Sequence, residues 1–180
     1  MQRVLITGMS GTGKTAVIQE LAARGYRAHD LDTPEWSEWI DAEAADTLTP
    51  SHGKDWIWQA ARVSALLSES GDGELFISGC AENMGQFFPL VDIVILLSAP
   101  VATLMERLET RPLGSYGHVA EERRKVANLT STIEPLLRQS ADYEIDTRRP
   151  LDATVDEVLR LTDRVRGTRA PRRSSRTGQR

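Results

Sequence analysis

The sequence predicts an α/β fold, a three-layer α/β/α sandwich around a five-stranded parallel sheet. Short apolar runs that are typical of strands alternate with longer segments whose apolar residues recur three and four positions apart, as in helices. Strands that alternate with helices form right-handed crossovers, which cover both faces of a parallel sheet. The runs at 3–7 and 93–97 are mainly continuous rather than alternating, as expected of central strands buried on both faces.

The five predicted strands and the helical segments between them follow the chain in a regular order. The strands are expected at 3–7, 27–31, 75–78, 93–97 and 143–145. Helical spacing of apolar residues is seen within 16–22, 63–67, 104–108, 120–137 and 155–161. No internal repeat interrupts this order, so the sequence predicts one domain with one sheet.

Length and composition restrict the class of protein. A chain of 180 residues suits one domain with a real core, and its 40% hydrophobic and 27% charged residues are ordinary for a globular protein. No apolar run approaches the length of a membrane span, so we expect no membrane partner. Cys80 is the single cysteine, which excludes an intrachain disulfide and a cysteine-based zinc site. The simplest expected location is the cytoplasm.

Charge is distributed unevenly along the chain. Residues 167–180 carry five arginines and no acid, so residues 1–166 hold 17 of the 22 basic residues and all 26 acidic ones. A body with a net charge near −9 disfavours broad contact with nucleic acid, and a nucleic-acid end kinase would need a basic groove. We therefore predict a folded domain at 1–166 and a basic, disordered tail at 167–180 that could touch an anionic partner only weakly.

The segment after the first strand fits the pattern G-x-x-x-x-G-K-[ST] in full. Its residues are Gly8, Met9, Ser10, Gly11, Thr12, Gly13, Lys14 and Thr15. Glycine lets a backbone approach a phosphate closely, and successive N–H groups with a helix N-terminus form an anion site. Lys14 can reach the β- and γ-phosphates, and the Thr15 hydroxyl can bind Mg²⁺. The loop predicts a site for MgATP, with GTP left open as the donor.

Two carboxylates end the second predicted strand. Asp30 and Asp32 are two residues apart, so on a strand they share one face at its carboxyl end, where ligands of open α/β sheets collect. A carboxylate there could orient or deprotonate an acceptor hydroxyl, or hold Mg²⁺ through water. The alternative is a cluster that caps a helix before Pro34. Asp32 is the stronger functional candidate.

Two arginines precede a glycine-rich stretch after the fourth strand. Arg107 and Arg111 lie four apart at the end of a predicted helix, and 112–120 is expected to form a lid. Arginines beside a flexible loop suit closure over phosphates, which excludes water and neutralises the transferring group. The alternative is that both only balance the helix dipole.

This order of motifs resembles the small P-loop kinases of the nucleoside-monophosphate and shikimate kinase superfamily, over roughly residues 2–165. The resemblance rests on the glycine-rich loop, Asp-x-Asp, the R-L-x-x-R before the lid, and the ending EPLLRQSADYEIDTRRPLDATVDEVL. It implies the P-loop NTPase fold with strand order 2-3-1-4-5; a description as an AAA-type P-loop NTPase also fits. It further implies that Arg107 lies near the adenine of the nucleotide and that Arg149 and Pro150 line the other side of the adenine. Arg111 is implied to reach the phosphates.

The chain departs from shikimate kinases on the acceptor side. Ile133 stands where they carry an arginine for the substrate carboxylate, and their F-R-x-x-E pattern has no clear match. The third strand ends in Ser78-Gly79 without the terminal Asp of a standard Walker B motif, which argues against a motor ATPase. Shikimate itself is therefore not the expected acceptor.

Residues 33–70 are predicted to form the acceptor-binding helices. Trp36 and Trp39 are three apart, which on a helix would give one aromatic face. Whether the four tryptophans line the pocket or only pack is left open, as is pairing of Arg62 with an anionic acceptor. The predicted substrate contacts are Asp30, Asp32, Trp36, Arg62, Gly79 and Cys80.

The predicted function is an ATP-dependent phosphotransferase acting on a small hydroxyl- or phosphate-bearing metabolite. Lys14, Asp32 and Arg111 are the predicted catalytic residues. The alternative from another class is a nucleotide-binding regulatory NTPase, or switch, without a small-molecule acceptor. The sequence leaves open the identity of the acceptor and whether the chain acts as a monomer or a homodimer.

Overall fold

A computed structural model describes residues 1–41 and 53–168 of the chain. The elements in chain order are β1 (Gln2–Thr7), α1 (Lys14–Ala23), β2 (Arg27–Asp30), β3 (Ser37–Asp41), β4 (Lys54–Trp58), α2 (Ala60–Ser68), β5 (Glu74–Ser78), a 3₁₀ helix (Glu82–Leu90), β6 (Ile93–Ser98), α3 (Val101–Glu109), α4 (Ala120–Thr132), α5 (Glu134–Ser140), β7 (Tyr143–Asp146) and α6 (Leu151–Thr168).

The main sheet has five parallel strands in the order β2-β5-β1-β6-β7. Numbered along the chain within this sheet alone, that order is 2-3-1-4-5, so the predicted fold is confirmed. All six residues of β6 are buried, and the last four of β1 are buried as well. Central parallel strands are covered on both faces, which explains why these two runs lack polar alternation.

Helices cover the sheet on both faces, which gives three layers. Successive strand residues point to opposite faces, so Leu5 and Ile6 of β1 belong to two different apolar clusters. The cluster around Ile6 includes the buried faces of α1 and α6. The cluster around Leu5 includes buried residues of α2, α3, α5 and the 3₁₀ helix, together with Trp36 and Trp58. This second face carries the segment that was expected to bind the acceptor.

The segment 33–70 contains a β-hairpin, so the prediction of helices throughout it is wrong. The strands β3 and β4 pair antiparallel, and only α2 is helical in the described part of this segment. Trp39 lies opposite Trp56, with ring centroids 4.8 Å apart, and does not share a helix face with Trp36. Cross-strand aromatic pairs stabilise a hairpin, and this contact outweighs the helical spacing of the sequence. Residues 42–52, between these strands, lie outside the described residues.

The last helix extends slightly beyond the predicted domain boundary. α6 ends at Thr168, so the first two residues of the expected tail are helical. The rest of that tail, 169–180, lies outside the described residues, and its predicted disorder stays a prediction. Within the described ranges, no helix combines the length and the apolar character that a membrane span requires.

Candidate nucleotide and acceptor site

The glycine-rich loop lies between β1 and α1, at the carboxyl end of the central strand. Gly11 and Gly13 have φ values of 92° and 96°, in the left-handed region that favours glycine. A Cβ on Gly8 would meet the carbonyl oxygen of Leu97 at 2.3 Å, so no larger residue fits there. The buried Thr12 donates both its backbone N–H and its hydroxyl to the Met9 carbonyl, at 3.2 and 2.7 Å. The loop is thus shaped by its own backbone and packing.

Lys14 connects the loop to the end of β2. It is the first residue of α1, and its side chain is 10% exposed. Its Nζ donates to the Gly8 carbonyl oxygen at 2.8 Å and lies 3.8 Å from Oδ2 of Asp32. The helix N-terminus and this ammonium group therefore offer positive charge beside backbone that can wrap an anion.

Thr15 and Asp30 meet directly beneath the loop. The Thr15 hydroxyl donates to Oδ2 of Asp30 at 2.7 Å, and Oδ1 of Asp30 accepts from the Asp32 backbone N–H and the Ser78 hydroxyl. A hydroxyl and a carboxylate are hard oxygen donors of the kind that Mg²⁺ prefers. The donor set fits a magnesium ion that shares its remaining positions with phosphate oxygens and water.

Asp32 is held from two sides at the same edge of the sheet. Its carboxylate accepts the backbone N–H of Cys80, at 3.0 and 3.1 Å from the two oxygens, and the indole N–H of Trp58 at 3.3 Å. Burial raises the pKa of this carboxyl, and the positive charge of Lys14 with the two N–H donors opposes that rise. The result is a fixed carboxylate that binds a proton more readily than an ordinary aspartate.

Gly79 is required by the position of Asp32. A Cβ at this residue would lie 2.5 Å from Oδ1 of Asp32 and 2.8 Å from Cζ2 of Trp58. The neighbouring Cys80 acts through its backbone N–H, and burial raises the pKa of its thiol, which disfavours a nucleophilic role. Both residues lie against Asp32, and their predicted contact with the substrate stays a prediction.

Trp58 is one of the four tryptophans whose role the sequence left open, and Asn83 is a residue beside this site that the sequence analysis missed. The fully buried Trp58 exchanges two hydrogen bonds with Asn83: its N–H donates to Oδ1 at 3.0 Å and its carbonyl accepts from Nδ2 at 2.8 Å. Asn83 therefore fixes β4 against the 3₁₀ helix and aims the indole N–H at Asp32. The run Trp-Ile-Trp was a usable strand signal, whereas Asn83 carried no sequence signal of its own.

Trp36 and Arg62 form a separate contact on the acceptor side. The guanidinium carbon of Arg62 lies 4.6 Å from the centroid of the Trp36 ring, and its nitrogens donate to the carbonyl and the carboxylate of Glu35 at 2.6 and 2.8 Å. The ring of His29 contacts Trp36 edge to face, with centroids 5.3 Å apart. The structure therefore brings Trp36 and Arg62 together, and Glu35 joins them as a partner that the sequence analysis did not single out.

Arg107 connects the glycine-rich loop to the loop after β7. It donates to the Gly11 carbonyl at 3.2 Å and to the hydroxyl and carbonyl of Thr147 at 3.0 and 2.6 Å. Arg149 lies two residues beyond Thr147 and donates to the Asp146 carbonyl at 3.1 Å, followed by Pro150. Of the three residues expected around the nucleoside, Arg149 and Pro150 lie in the loop after β7, and Arg107, on α3, binds both that loop and the glycine-rich loop.

The side chain of Arg111 folds onto the loop that follows it in the chain. It is partly buried, its guanidinium donates to the Tyr116 carbonyl at 2.9 Å, and burial lowers its pKa. His118 approaches the Arg111 carbonyl at 3.0 Å through Nδ1, and the Gly117 N–H donates to Glu122 at 2.7 Å. The predicted lid segment, 112–120, is therefore held by the side chains of Arg111 and Glu122, which flank it, and by His118 within it.

These features define a P-loop nucleotide-binding protein with a carboxylate beside the phosphate-binding lysine. The family model described as "AAA domain" matches residues 4–126. That match covers more than half of the chain, and the chain belongs to this family. The resemblance to small P-loop kinases, inferred from the motif order, is confirmed by the relatives described next.

Named relatives are similar over nearly their whole length. The protein called shikimate kinase 2 of Enterobacter sp. (strain 638) is 28% identical over 170 residues, which cover 88% of this chain and 94% of that protein. The shikimate kinase from Acinetobacter baumannii, solved in complex with shikimate, has a TM-score of 0.60 at 21% identity and covers 95% of this chain and 96% of its own. A gluconokinase from Sinorhizobium meliloti 1021 has a TM-score of 0.58 at 20% identity, covering 93% and 97%. At such identities the solved structures show the fold.

Proposed function

We propose that the protein is an ATP-dependent phosphotransferase that moves the γ-phosphoryl group of MgATP to a small hydroxyl- or phosphate-bearing metabolite. One observation carries this proposal: the ammonium of Lys14 lies between the Gly8 carbonyl of the glycine-rich loop and the carboxylate of Asp32. A phosphate-binding group and a candidate base therefore meet at one point. The kinase names of the similar proteins support the same class.

The nucleotide would be held by residues from three parts of the chain. The N–H groups of 8–15, the N-terminus of α1 and Lys14 would bind the phosphates. Arg107 would fix the glycine-rich loop against the loop that carries Arg149 and Pro150, beside the nucleoside. Thr15 with Asp30, and Asp32 through water, would hold Mg²⁺, which supplies charge neutralisation at the phosphates.

The acceptor hydroxyl would lose its proton to Asp32. The carboxylate is fixed by the Cys80 N–H and by Trp58, so it is oriented before the acceptor binds. Its raised pKa improves it as a proton acceptor in the transfer. Lys14 would stabilise the charge of the transferring group from the other side.

Arg111 would complete the site through a change in the lid. Its present bond to the Tyr116 carbonyl holds the guanidinium on its own loop. Exchange of this carbonyl for a phosphate oxygen would replace a neutral acceptor by a charged one, which makes a stronger hydrogen bond. The segment 112–120 would then close over the nucleotide and exclude water.

The alternative is a regulatory NTPase that acts as a switch without a small acceptor. Such a protein requires the glycine-rich loop and a magnesium site, but it has no need of an oriented carboxylate next to the lysine. In this chain, Gly79 leaves room for the Asp32 carboxylate, and Cys80 and Trp58 donate hydrogen bonds to it. This fixed orientation of Asp32 favours the phosphotransferase. We place the proposed phosphotransferase reaction in the cytoplasm.

The variant Asp32→Asn separates binding from transfer. It keeps the size of the side chain but removes the proton acceptor, so acceptor-dependent ADP release should fall by a factor of about 10² to 10⁴. Binding of a non-hydrolysable ATP analogue, measured by calorimetry, should change little. Asp72→Asn, at an exposed position away from this site, is the matched control and should retain full turnover. Undiminished transfer in Asp32→Asn would contradict the proposed role.

A further inference from the structure

The acceptor side of the site is poor in available positive charge. Between the end of β2 and the end of α2, residues 30–68 contain eight acidic residues and two basic ones, Lys54 and Arg62. Lys54 lies on β4, 3.7 Å from the carboxylate of Asp41 on the partner strand. Arg62 is therefore the principal cation that this segment could offer to an anionic acceptor.

Arg62 is already occupied by three contacts within the protein. Its guanidinium donates to the backbone carbonyl and to the carboxylate of Glu35, and it stacks on the face of Trp36. The backbone N–H of Gln59 donates to the Trp36 carbonyl at 2.8 Å, which ties the start of α2 to the same turn. An anion that bound Arg62 would have to replace its contacts with Glu35 and Trp36, and it would then be repelled by the Glu35 carboxylate.

No cation stands at Ile133, the described position where the resemblance to shikimate kinases would place an arginine for the substrate carboxylate. Ile133, at the junction of α4 and α5, packs against the apolar cluster that contains Trp36 and Trp58. The nearest arginine on α5, Arg138, is bound by Glu134 and Glu144. The apolar cluster beside Asp32 is therefore aromatic and aliphatic, and its Trp58 donates to the Asp32 carboxylate.

We propose that the acceptor is a polyhydroxylated molecule without a carboxylate or phosphate group, either uncharged or amine-bearing. This inference rests on the proposed phosphotransferase function. Glu35 is the specificity-determining residue, because it holds Arg62 away from an incoming anion. Apolar surroundings suit the carbon faces of sugar-like rings, and Asp32 can accept from a hydroxyl. The chain would then differ from the similar kinases named for shikimate and gluconate, which are both carboxylates.

The first test compares acceptors that share a carbon skeleton and differ in a charged group. Wild-type protein with MgATP is assayed against gluconate and glucitol, shikimate and its methyl ester, and glucose 6-phosphate, glucose and glucosamine. The proposal expects Lys14-dependent ADP release that rises with uncharged or amine-bearing members and not with their anionic partners. If an anionic member gives the highest kcat/KM, the proposal is overturned while the phosphotransferase function stands. If no compound in a broader metabolite panel raises ADP release, the proposed function itself fails.

The second test releases Arg62 from its partner. In Glu35→Gln the charge that holds the guanidinium is lost, so a carboxylate should inhibit the reaction of an uncharged acceptor more strongly, with its inhibition constant about twofold to fivefold lower. Glu38→Gln removes the same charge from β3 and should not change inhibition by the carboxylate. Equal inhibition constants in wild type and Glu35→Gln would overturn the role of Glu35, and unchanged melting temperatures would show that both variants fold.

Discussion

Gly79→Ala is the sharpest test of the geometry around Asp32. The added Cβ would lie 2.5 Å from Oδ1 of Asp32, whereas ordinary contacts begin at 3.4 Å, so the carboxylate has to move by close to 1 Å. The indole of Trp58 blocks the other direction, at 2.8 Å. A misplacement of about 1 Å at a reacting group can cost about 10²-fold in rate. Overpacking of this kind costs about 1–3 kcal/mol of folding free energy.

The assay compares kcat with nucleotide affinity and stability in the same preparation. We expect kcat for the best acceptor to fall by about 10²-fold, while affinity for a non-hydrolysable ATP analogue stays within about twofold, because the glycine-rich loop is untouched. Gly85→Ala in the 3₁₀ helix is the matched control, since a Cβ there meets nothing within 4 Å. A Gly79→Ala protein with wild-type kcat would refute the argument that Asp32 must keep this position.

Two further predictions concern nucleotide binding and pH. Arg107→Lys cannot reproduce the three hydrogen bonds to Gly11 and Thr147, so nucleotide affinity should weaken by about tenfold, as calorimetry would show. The control Arg160→Lys, on the exposed face of α6, should bind the nucleotide with wild-type affinity. Because the pKa of Asp32 is raised on folding, the folded state holds this proton more tightly than the unfolded chain. Wild type should therefore lose stability relative to Asp32→Asn as pH rises from about 4 through the raised pKa. A difference in melting temperature that does not change with pH would contradict this cause.

The sheet and the position of the glycine-rich loop were predictable because local patterns determine them. Continuous apolar runs identified β1 and β6, and the spacing of glycines with Lys14 identified the loop without any tertiary information. The D-x-D pattern located Asp32 near the carboxyl edge of the sheet, but β2 ends at Asp30, and Asp32 lies in the turn after it, where its N–H donates to Oδ1 of Asp30. In each of these cases, one short segment contains the whole physical reason.

The hairpin and the partners of Asp32 were not predictable in the same way. Trp36 and Trp39 fit a helical spacing locally, but Trp39 gains its contact from Trp56, 17 residues away. Asn83 becomes important only because β4 packs on the 3₁₀ helix. Glu35 and Arg62 are 27 residues apart and meet across the start of α2. Contacts of this range depend on tertiary packing, which propensity and periodicity do not contain.

The most direct test of the central claim is coupled ADP release with MgATP across a metabolite panel, run beside Lys14→Ala. The panel would contain nucleosides, nucleoside monophosphates, shikimate, sugars, cyclitols and aminoglycosides. We expect release that rises with one class of acceptor in wild type and falls by at least about 10³-fold in folded Lys14→Ala, since this ammonium would stabilise the transferring group. Slow, Lys14-dependent release that ignores every acceptor would contradict the phosphotransferase and favour the switch.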